Sequence, residues 1–415
     1  MCSGMLRISP RASGMLLAVA LAPALAGCGK SAPLRHPASG PAAAVAPVAA
    51  QGAVSVVTKN TTRLGGGDGA SDAAAVARAV YPGLTPATRP QVVVVVDEHN
   101  WAAALAAAVM ASAPIRAPLL YSEGAALPEV SLQALEAMRP TGSPALGGTQ
   151  VILLGSSAAA PGGYASRTVP IPTTSPAAAA AAVDRLFTAV GSASPRQVIM
   201  VASDAPRAIQ MPAAGLAAES GAPILFAAST VVAPATGAVL SRLRRPSIYL
   251  LGFSSIAKGT LGELARLGRV SAIAPSGTPA EAPTPVGNAI AVARFTDGVF
   301  GWGVKEPGHG LVFANAGRPL DAPAAALLSA TGQYGPLLLL DRAEGVPSSL
   351  ASYLSDIQPA YGKAPQYQPV HGAYNHGWLI GNESAISPPT QAEIDAMLEI
   401  VPAKAASEET SSVTP

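Results

Sequence analysis

A threefold repeat, registered by prolines, constrains this chain more than any other feature. Between Gln91 and Leu154 the order is a run of five valines (Val92 to Val96), an Ala-rich segment from Trp101 to Ala113, then Ala117-Pro118-Leu119-Leu120-Tyr121. A segment opened by Pro128 follows, and then Val151-Ile152-Leu153-Leu154, stopped by Gly155. The valine run is of strand length and too apolar to keep one face in water. The Ala-rich segment has helical composition. Pro118 stands at the first position of the second strand, where a strand tolerates proline. Pro128 is expected in the first turn of a second helix. The stretch therefore reads βαβαβ.

The same order recurs twice. Val198-Ile199-Met200-Val201, an Ala-rich helix, Ala222-Pro223-Ile224-Leu225-Phe226, a helix opened by Pro234 and Ile248-Tyr249-Leu250-Leu251-Gly252 form the second copy. Leu311-Val312-Phe313-Ala314, the segment Ala322 to Ala330, Gly335-Pro336 with Leu337 to Leu340, a helix opened by Pro347 and Trp378-Leu379-Ile380-Gly381 form the third. By position, Pro118, Pro223 and Pro336 lie 105 and 113 residues apart, and Pro128, Pro234 and Pro347 lie 106 and 113 apart. Such periods are roughly twice those of solenoid repeats, so the copies are tandem small domains rather than stacked hairpins.

Each copy has a preamble of a short strand and a helix. The preambles are Arg63-Leu64-Gly65-Gly66-Gly67-Asp68 before a helix over Ser71 to Val80, Ser166 to Ile171 before a helix opened by Pro176, and Gly268 to Ile273 before a helix opened by Pro285. Strands alternating with crossovers of this length imply parallel sheets covered by helices. The expected fold class is α/β, with three tandem Rossmann-like βαβαβ domains over residues 56–165, 166–267 and 268–402.

The ends are different. Arg7 and Arg11 precede an apolar stretch from Met15 to Leu25 that is too short to span a bilayer as a mature helix, as in an export signal over residues 1–27. It ends in Leu25-Ala26-Gly27-Cys28, which resembles a bacterial lipoprotein cleavage box. That resemblance implies acylation of Cys28. Cys2 would leave with the signal, so the exported domain would be free of disulfides. Residues 28–55 are Ala, Pro, Gly and Ser with almost no charge, the composition of an extended tether. Residues 403–415 read as a disordered tail. The expected location is therefore the outer face of the cell membrane, or the outer membrane if the envelope has two.

Charged residues are 12% of the chain and nearly balanced, at a formal +2. No basic stripe interleaved with aromatics points to nucleic acid. A hydrophobic fraction of 49% with only 4% aromatic residues predicts a core of Ala, Val and Leu.

Open parallel sheets bind ligands beyond the carboxyl ends of their strands. In the first copy that position is Asp97-Glu98-His99-Asn100-Trp101, in the second Ser203-Asp204-Ala205-Pro206-Arg207, and in the third Asn315-Ala316-Gly317-Arg318. These loops, with Arg63, form a candidate polar binding surface. Helix capping is the competing role, because Asp97, Asn100 and Asp204 are good N-cap residues. Asp97 and Glu98 make a poor acid/base pair, since adjacent strand residues point to opposite faces. His371 and His376 lack a third metal ligand, and a loop before the last strand accounts for them. Gly65 to Gly69 lacks the Gly-Lys-Ser/Thr ending of a phosphate loop. Neither a Gly-x-Ser-x-Gly elbow nor a His-Glu-x-x-His motif occurs. The chain is expected to be non-enzymatic, without cofactor or metal.

Taken together, the motifs resemble the cell wall binding repeat 2 family of bacterial surface proteins. Arg63-Leu64-x-Gly66-x-Asp68, Asn100-Trp101, Ala117-Pro118-Leu119-Leu120 and Leu379-Ile380-Gly381 with Ala385-Ile386-Ser387 match its segments in order. The family's Asp-Ala is kept at Asp321-Ala322, while Ala103 replaces that Asp in the first copy and Arg207-Ala208 stands there in the second. The second Gly of its Ile-Gly-Gly is lost at Ser156, Phe253 and Asn382. The resemblance implies three Toprim- or Rossmann-like domains about a pseudo-threefold axis, and non-covalent attachment to cell wall glycan or an anionic secondary wall polymer. The candidate ligand-binding residues are then Arg63, Asp68, Glu98, His99, Asn100, Asp204, Arg207, Arg318 and Asp321. A ligand-capturing lipoprotein, similar to transporter-associated binding proteins, is the alternative.

Overall fold

The computed structural model describes residues 56–173, 175–190, 195–274, 284–330, 335–361 and 374–402. Cys28, the tether, the tail and His371 lie outside these residues. β1 (Val56–Val57) and β2 (Thr61–Leu64) lead into α1 (Gly69–Val80). β3 (Val93–Asp97), α2 (Trp101–Ala107), β4 (Leu119–Ser122), α3 (Glu129–Met138) and β5 (Val151–Leu154) make the first βαβαβ unit. β6 (Ser166–Val169) and α4 (Pro176–Ala189) precede the second: β7 (Gln197–Ala202), α5 (Arg207–Gln210), α6 (Ala213–Ser220), β8 (Ile224–Ala227), α7 (Pro234–Arg242) and β9 (Ser247–Leu251). After α8 (Lys258–Leu267), β10 (Arg269–Ile273) and α9 (Pro285–Arg294) introduce the third. This comprises β11 (Gly310–Asn315), α10 (Asp321–Ala330), β12 (Leu337–Leu340), α11 (Ser348–Asp356), β13 (Ala360–Tyr361), β14 (His376–Ile380), α12 (Pro388–Met397) and β15 (Val401–Pro402).

Every strand expected from the proline register is present, and the three main sheets share one order. They run β4-β3-β5-β6, β8-β7-β9-β10 and β12-β11-β14-β2, the last edged by antiparallel β1; all their other pairings are parallel. Each preamble strand thus completes the sheet of the preceding copy. β2, near the start of the domain, completes the last sheet, so the chain closes into a ring. Each preamble helix crosses to the following sheet: α1 packs on β4, α4 on β8 and α9 on β12.

The prolines act as their positions require. Pro118, Pro223 and Pro336 lie just before the edge strands, and their carbonyls accept from Val94, Ile199 and Val312 at 3.0, 3.0 and 3.1 Å. Lacking an N–H, they leave no ladder donor unpaired on the outer side. Pro128 and Pro347 stand one residue earlier than expected, at the N-cap, whereas Pro234 is inside the first turn. The Ala-rich helix of the first copy is also shorter than expected. It tightens to a 3-10 turn over Ala108–Ala111 before Pro114, which disfavours a helical conformation at the residue before it. His376 is the first residue of β14 rather than part of a loop.

Strand alternation divides the core. Val94 and Val96, Ile152 and Leu154, and Leu337 and Leu339 point into one continuous cluster shared by all three copies. Val93, Val95, Val151 and Leu153 face α3, and Leu338 and Leu340 face α11. Both faces of each strand are buried, as valine and leucine runs demand. At the centre of the shared cluster α6, α10 and the 3-10 turn after α2 pack against one another. Their alanines are buried throughout. A Cβ on Gly215 would stand 2.8 Å from Ser329 Oγ. Small side chains are what allow three helices to approach this closely, which accounts for a core rich in alanine and poor in rings.

Candidate functional site

The carboxyl ends of the central strands form three corresponding crevices. Each contains a glycine in the left-handed region at the end of the third core strand: Gly155 (φ 63°), Gly252 (φ 79°) and Gly381 (φ 96°). A Cβ there would come within 2.8 Å of Ile171, 2.9 Å of Ile209 and 2.6 Å of Ala385 respectively. Backbone bonds fix two further correspondences. Asn100, Ala205 and Arg318 each donate to the carbonyl three residues earlier, and Asp72, Ala179 and Asn288 each donate to the N-cap carbonyl of a preamble helix. The crevices can therefore be compared residue by residue.

In the third crevice Arg318 bridges two carboxyl groups, pairing with Asp72 and bonding Asp321 Oδ2 at 2.9 Å. It also donates to the Gly67 carbonyl at 2.9 Å. Asp72 Oδ1 accepts from the Gly66 amide at 2.6 Å. Both carboxyl groups are buried. Burial, and then the charge of Asp72, push Asp321 well above the ordinary carboxylate range, while Arg318 opposes the shift. Burial is also the largest influence on Asp72 and raises its pKa, with Arg318 opposing. Arg63 lies beside this cluster at 1% exposure. Its Nε and Nη2 donate to Gln391 Oε1 at 3.0 and 2.8 Å, and Nη1 donates to the carbonyls of Gly381 and Asn382 at 3.1 and 2.8 Å. Burial lowers its pKa, with Glu383 opposing. Arg63, Arg318 and Asp321 are thus engaged within the chain, fastening β2 and α1 to the third sheet.

The first crevice collects acidic side chains. Asp97 Oδ1 accepts from the His99 amide at 2.9 Å and lies 3.0 Å from His99 Nδ1. That bond and the Asp97 charge raise the exposed imidazole's pKa. Partial burial raises Glu98, with further upward pressure from Glu123, Asp68 and Asp97 against the pull of His99. Asp68 caps α1 through the Ser71 amide at 2.8 Å. Asn100 caps α2 through the Ala103 amide at 3.2 Å, so the capping role holds there. Its Nδ2 is buried and has no partner among the described residues.

The second crevice is open. A cavity of about 320 Å³ is lined by residues that include Asp204, Pro206, Ile209, Ser229, Phe253, Ser254, Ser255 and Pro285. Asp204 Oδ2 accepts from the Ser229 amide at 2.9 Å and from its hydroxyl. Burial works to raise this carboxyl, but the two Ser229 bonds prevail and hold it below its usual range. Asp204 is therefore ionised near neutrality. It ties two loops together rather than capping α5. Arg207 turns away from the cavity, its guanidinium 6.0 Å from the Trp101 ring centroid. The Trp101 indole donates to Gln210 Oε1 at 2.6 Å, and Gln210 donates to the carbonyls of Ala202 and Ala205 at 3.1 and 2.8 Å.

The sequence reading missed Asp72, Gln210, Asn288 and Gln391, all buried polar residues. Asp72 had a signal, as one carboxylate among the alanines of GASDAAAVARAV. Ser254 and Ser255 had only their place after the departure at Phe253. Among the described residues no group of three or more His, Cys, Asp or Glu side chains is arranged to hold a metal, and no helix is long and apolar enough to cross a membrane.

No family model matches the chain, and no curated protein matches it by sequence. Among solved structures the chain is similar to Cwp8 from Clostridium difficile, with a TM-score of 0.59 and 16% identity over 82% of this chain and 52% of that one. It is similar also to Cwp6 from Clostridium difficile, with a TM-score of 0.61 and 16% identity over 84% of this chain and 51% of that one. The chain thus spans about half the length of either structure. At these identities the likeness is one of fold.

Proposed function

We propose that this chain is a cell-wall-associated surface protein, non-enzymatic, whose three repeats contact wall glycan or a secondary wall polymer. Acylation of Cys28 would hold it at the membrane while the repeats engage the wall. The observation that carries this reading is the fold likeness to Cwp8 and Cwp6, cell wall proteins of Clostridium difficile, over more than four-fifths of the chain. The motif resemblance to the cell wall binding repeat 2 family supports it independently of that likeness. The polar strand-end crevices offer the contacts such a role needs.

Sedimentation with purified cell walls tests it. The full chain carrying Cys28→Ser, and so without lipid, is expected to pellet with untreated walls and to stay in solution with walls stripped of secondary polymers if the polymer is the ligand. Pelleting with both assigns the contact to peptidoglycan. Failure to pellet with either removes the proposal.

A further inference from the structure

The second crevice holds a cavity of about 320 Å³. Ala205 stands where the third crevice has Arg318, and Asn288 stands where it has Asp72. Asn288 is buried and donates to the Ile209 carbonyl at 2.7 Å, which settles its amide without a cation. No guanidinium therefore crosses the crevice.

The lining specifies a chemistry. Ser229 occupies Oδ2 of Asp204, whose side chain is exposed at the cavity. Ser254 and Ser255, both exposed, line the same cavity. Phe253, Ile209 and Pro206 supply an apolar wall. No Lys, Arg or His lines the cavity among the described residues. A carboxylate and serine hydroxyls lining one cavity can accept and donate hydrogen bonds in the pattern of adjacent alcohols, and a ring in the same lining suits a C–H face. An anionic group in the same space would meet the Asp204 charge with no cationic side chain in the lining to offset it. The volume is at the small end of ligand pockets.

We propose that this cavity binds one uncharged sugar unit, with Asp204 receiving its hydroxyl hydrogen bonds and Phe253 covering an apolar face. The inference deepens the wall-association reading, on which the source of the sugar rests, and it excludes an acidic sugar from this crevice.

The test is a two-dimensional amide NMR titration of the full Cys28→Ser chain. The probes are the methyl glycosides of glucose, galactose, mannose and N-acetylglucosamine, with glucuronate for comparison. At least one neutral glycoside is expected to shift the amides of residues 202–209, 229 and 252–255, and glucuronate is not. Asp204→Asn is expected to weaken that binding by about tenfold, the effect of losing a hydrogen bond to a charged group. Ser254→Trp fills the cavity from an exposed position and is expected to abolish it, which decides the matter if Asp204→Asn unsettles the loop. Absence of shifts at these residues, equal binding of glucuronate, or unchanged binding in both variants overturns the proposal. Pelleting of the Cys28→Ser chain on walls without a cavity response defeats the cavity assignment alone. A cavity response without pelleting defeats the wall reading alone.

Discussion

The second and third crevices occupy the same place in the same sheet topology, yet a cavity opens in one and an arginine crosses the other. The difference rests on two positions. Arg318 with Asp72 fills the third crevice and joins the first preamble to the last sheet, whereas Ala205 with Asn288 leaves the second unfilled. The first crevice is intermediate. Asn100 replaces the arginine and Ala179 replaces the aspartate, so the Asn100 amide has nothing to donate to among the described residues. A repeat that has kept its backbone can therefore divide its labour: one copy stabilises the ring while another retains room for a ligand.

The largest expected break is at Arg318. Arg318→Ala removes the cation between two buried carboxyl groups, and breaking such a pair costs about 3–5 kcal/mol. Urea unfolding should show it, and Ala205→Gly in the second crevice should change stability far less. The pH dependence sharpens the contrast. Asp321 has a folded-state pKa raised by burial and by Asp72, so its contribution is fully present below the ordinary carboxylate range and is lost as pH rises through the raised value. For one proton the loss is no steeper than about 1.4 kcal/mol per pH unit, and melting of Asp321→Asn across pH should show a flatter alkaline limb. Gly252→Ala places a Cβ 2.9 Å from Ile209 Cγ2 at a left-handed φ and should cost about 1–3 kcal/mol, read by the same urea unfolding. Asn100→Ser keeps a capping oxygen and deletes the unpartnered amide, so its stability should stay within about 1 kcal/mol of wild type.

The sequence made the fold legible because its signals were local and repeated. Pro118, Pro223 and Pro336 marked edge strands, and uninterrupted valines and leucines marked strands buried on both faces. What it did not disclose was the partner of each preamble strand. Thr61–Leu64 looks like an opening strand of the first copy, but its hydrogen bonds are made to β14 more than 300 residues later, and no local pattern encodes that distance. The site was legible in position rather than in role. Asp204 was named as a strand-end residue and lines a cavity, whereas Arg63 and Arg318 were read as ligand contacts and are held by Gln391, Asp72 and Asp321. An arginine on a surface and an arginine inside a buried cluster look alike until the carboxylates that meet it are placed. Those carboxylates come from helices of different copies.

The most direct test of the division between the crevices is the wall-binding isotherm of the Cys28→Ser chain measured beside its Ser254→Trp derivative. The open second crevice predicts at least about a tenfold loss of affinity with an unchanged melting temperature. Superimposable isotherms, with the introduced indole shown by its fluorescence to be shielded from water, would contradict it and move wall contact to the other two crevices.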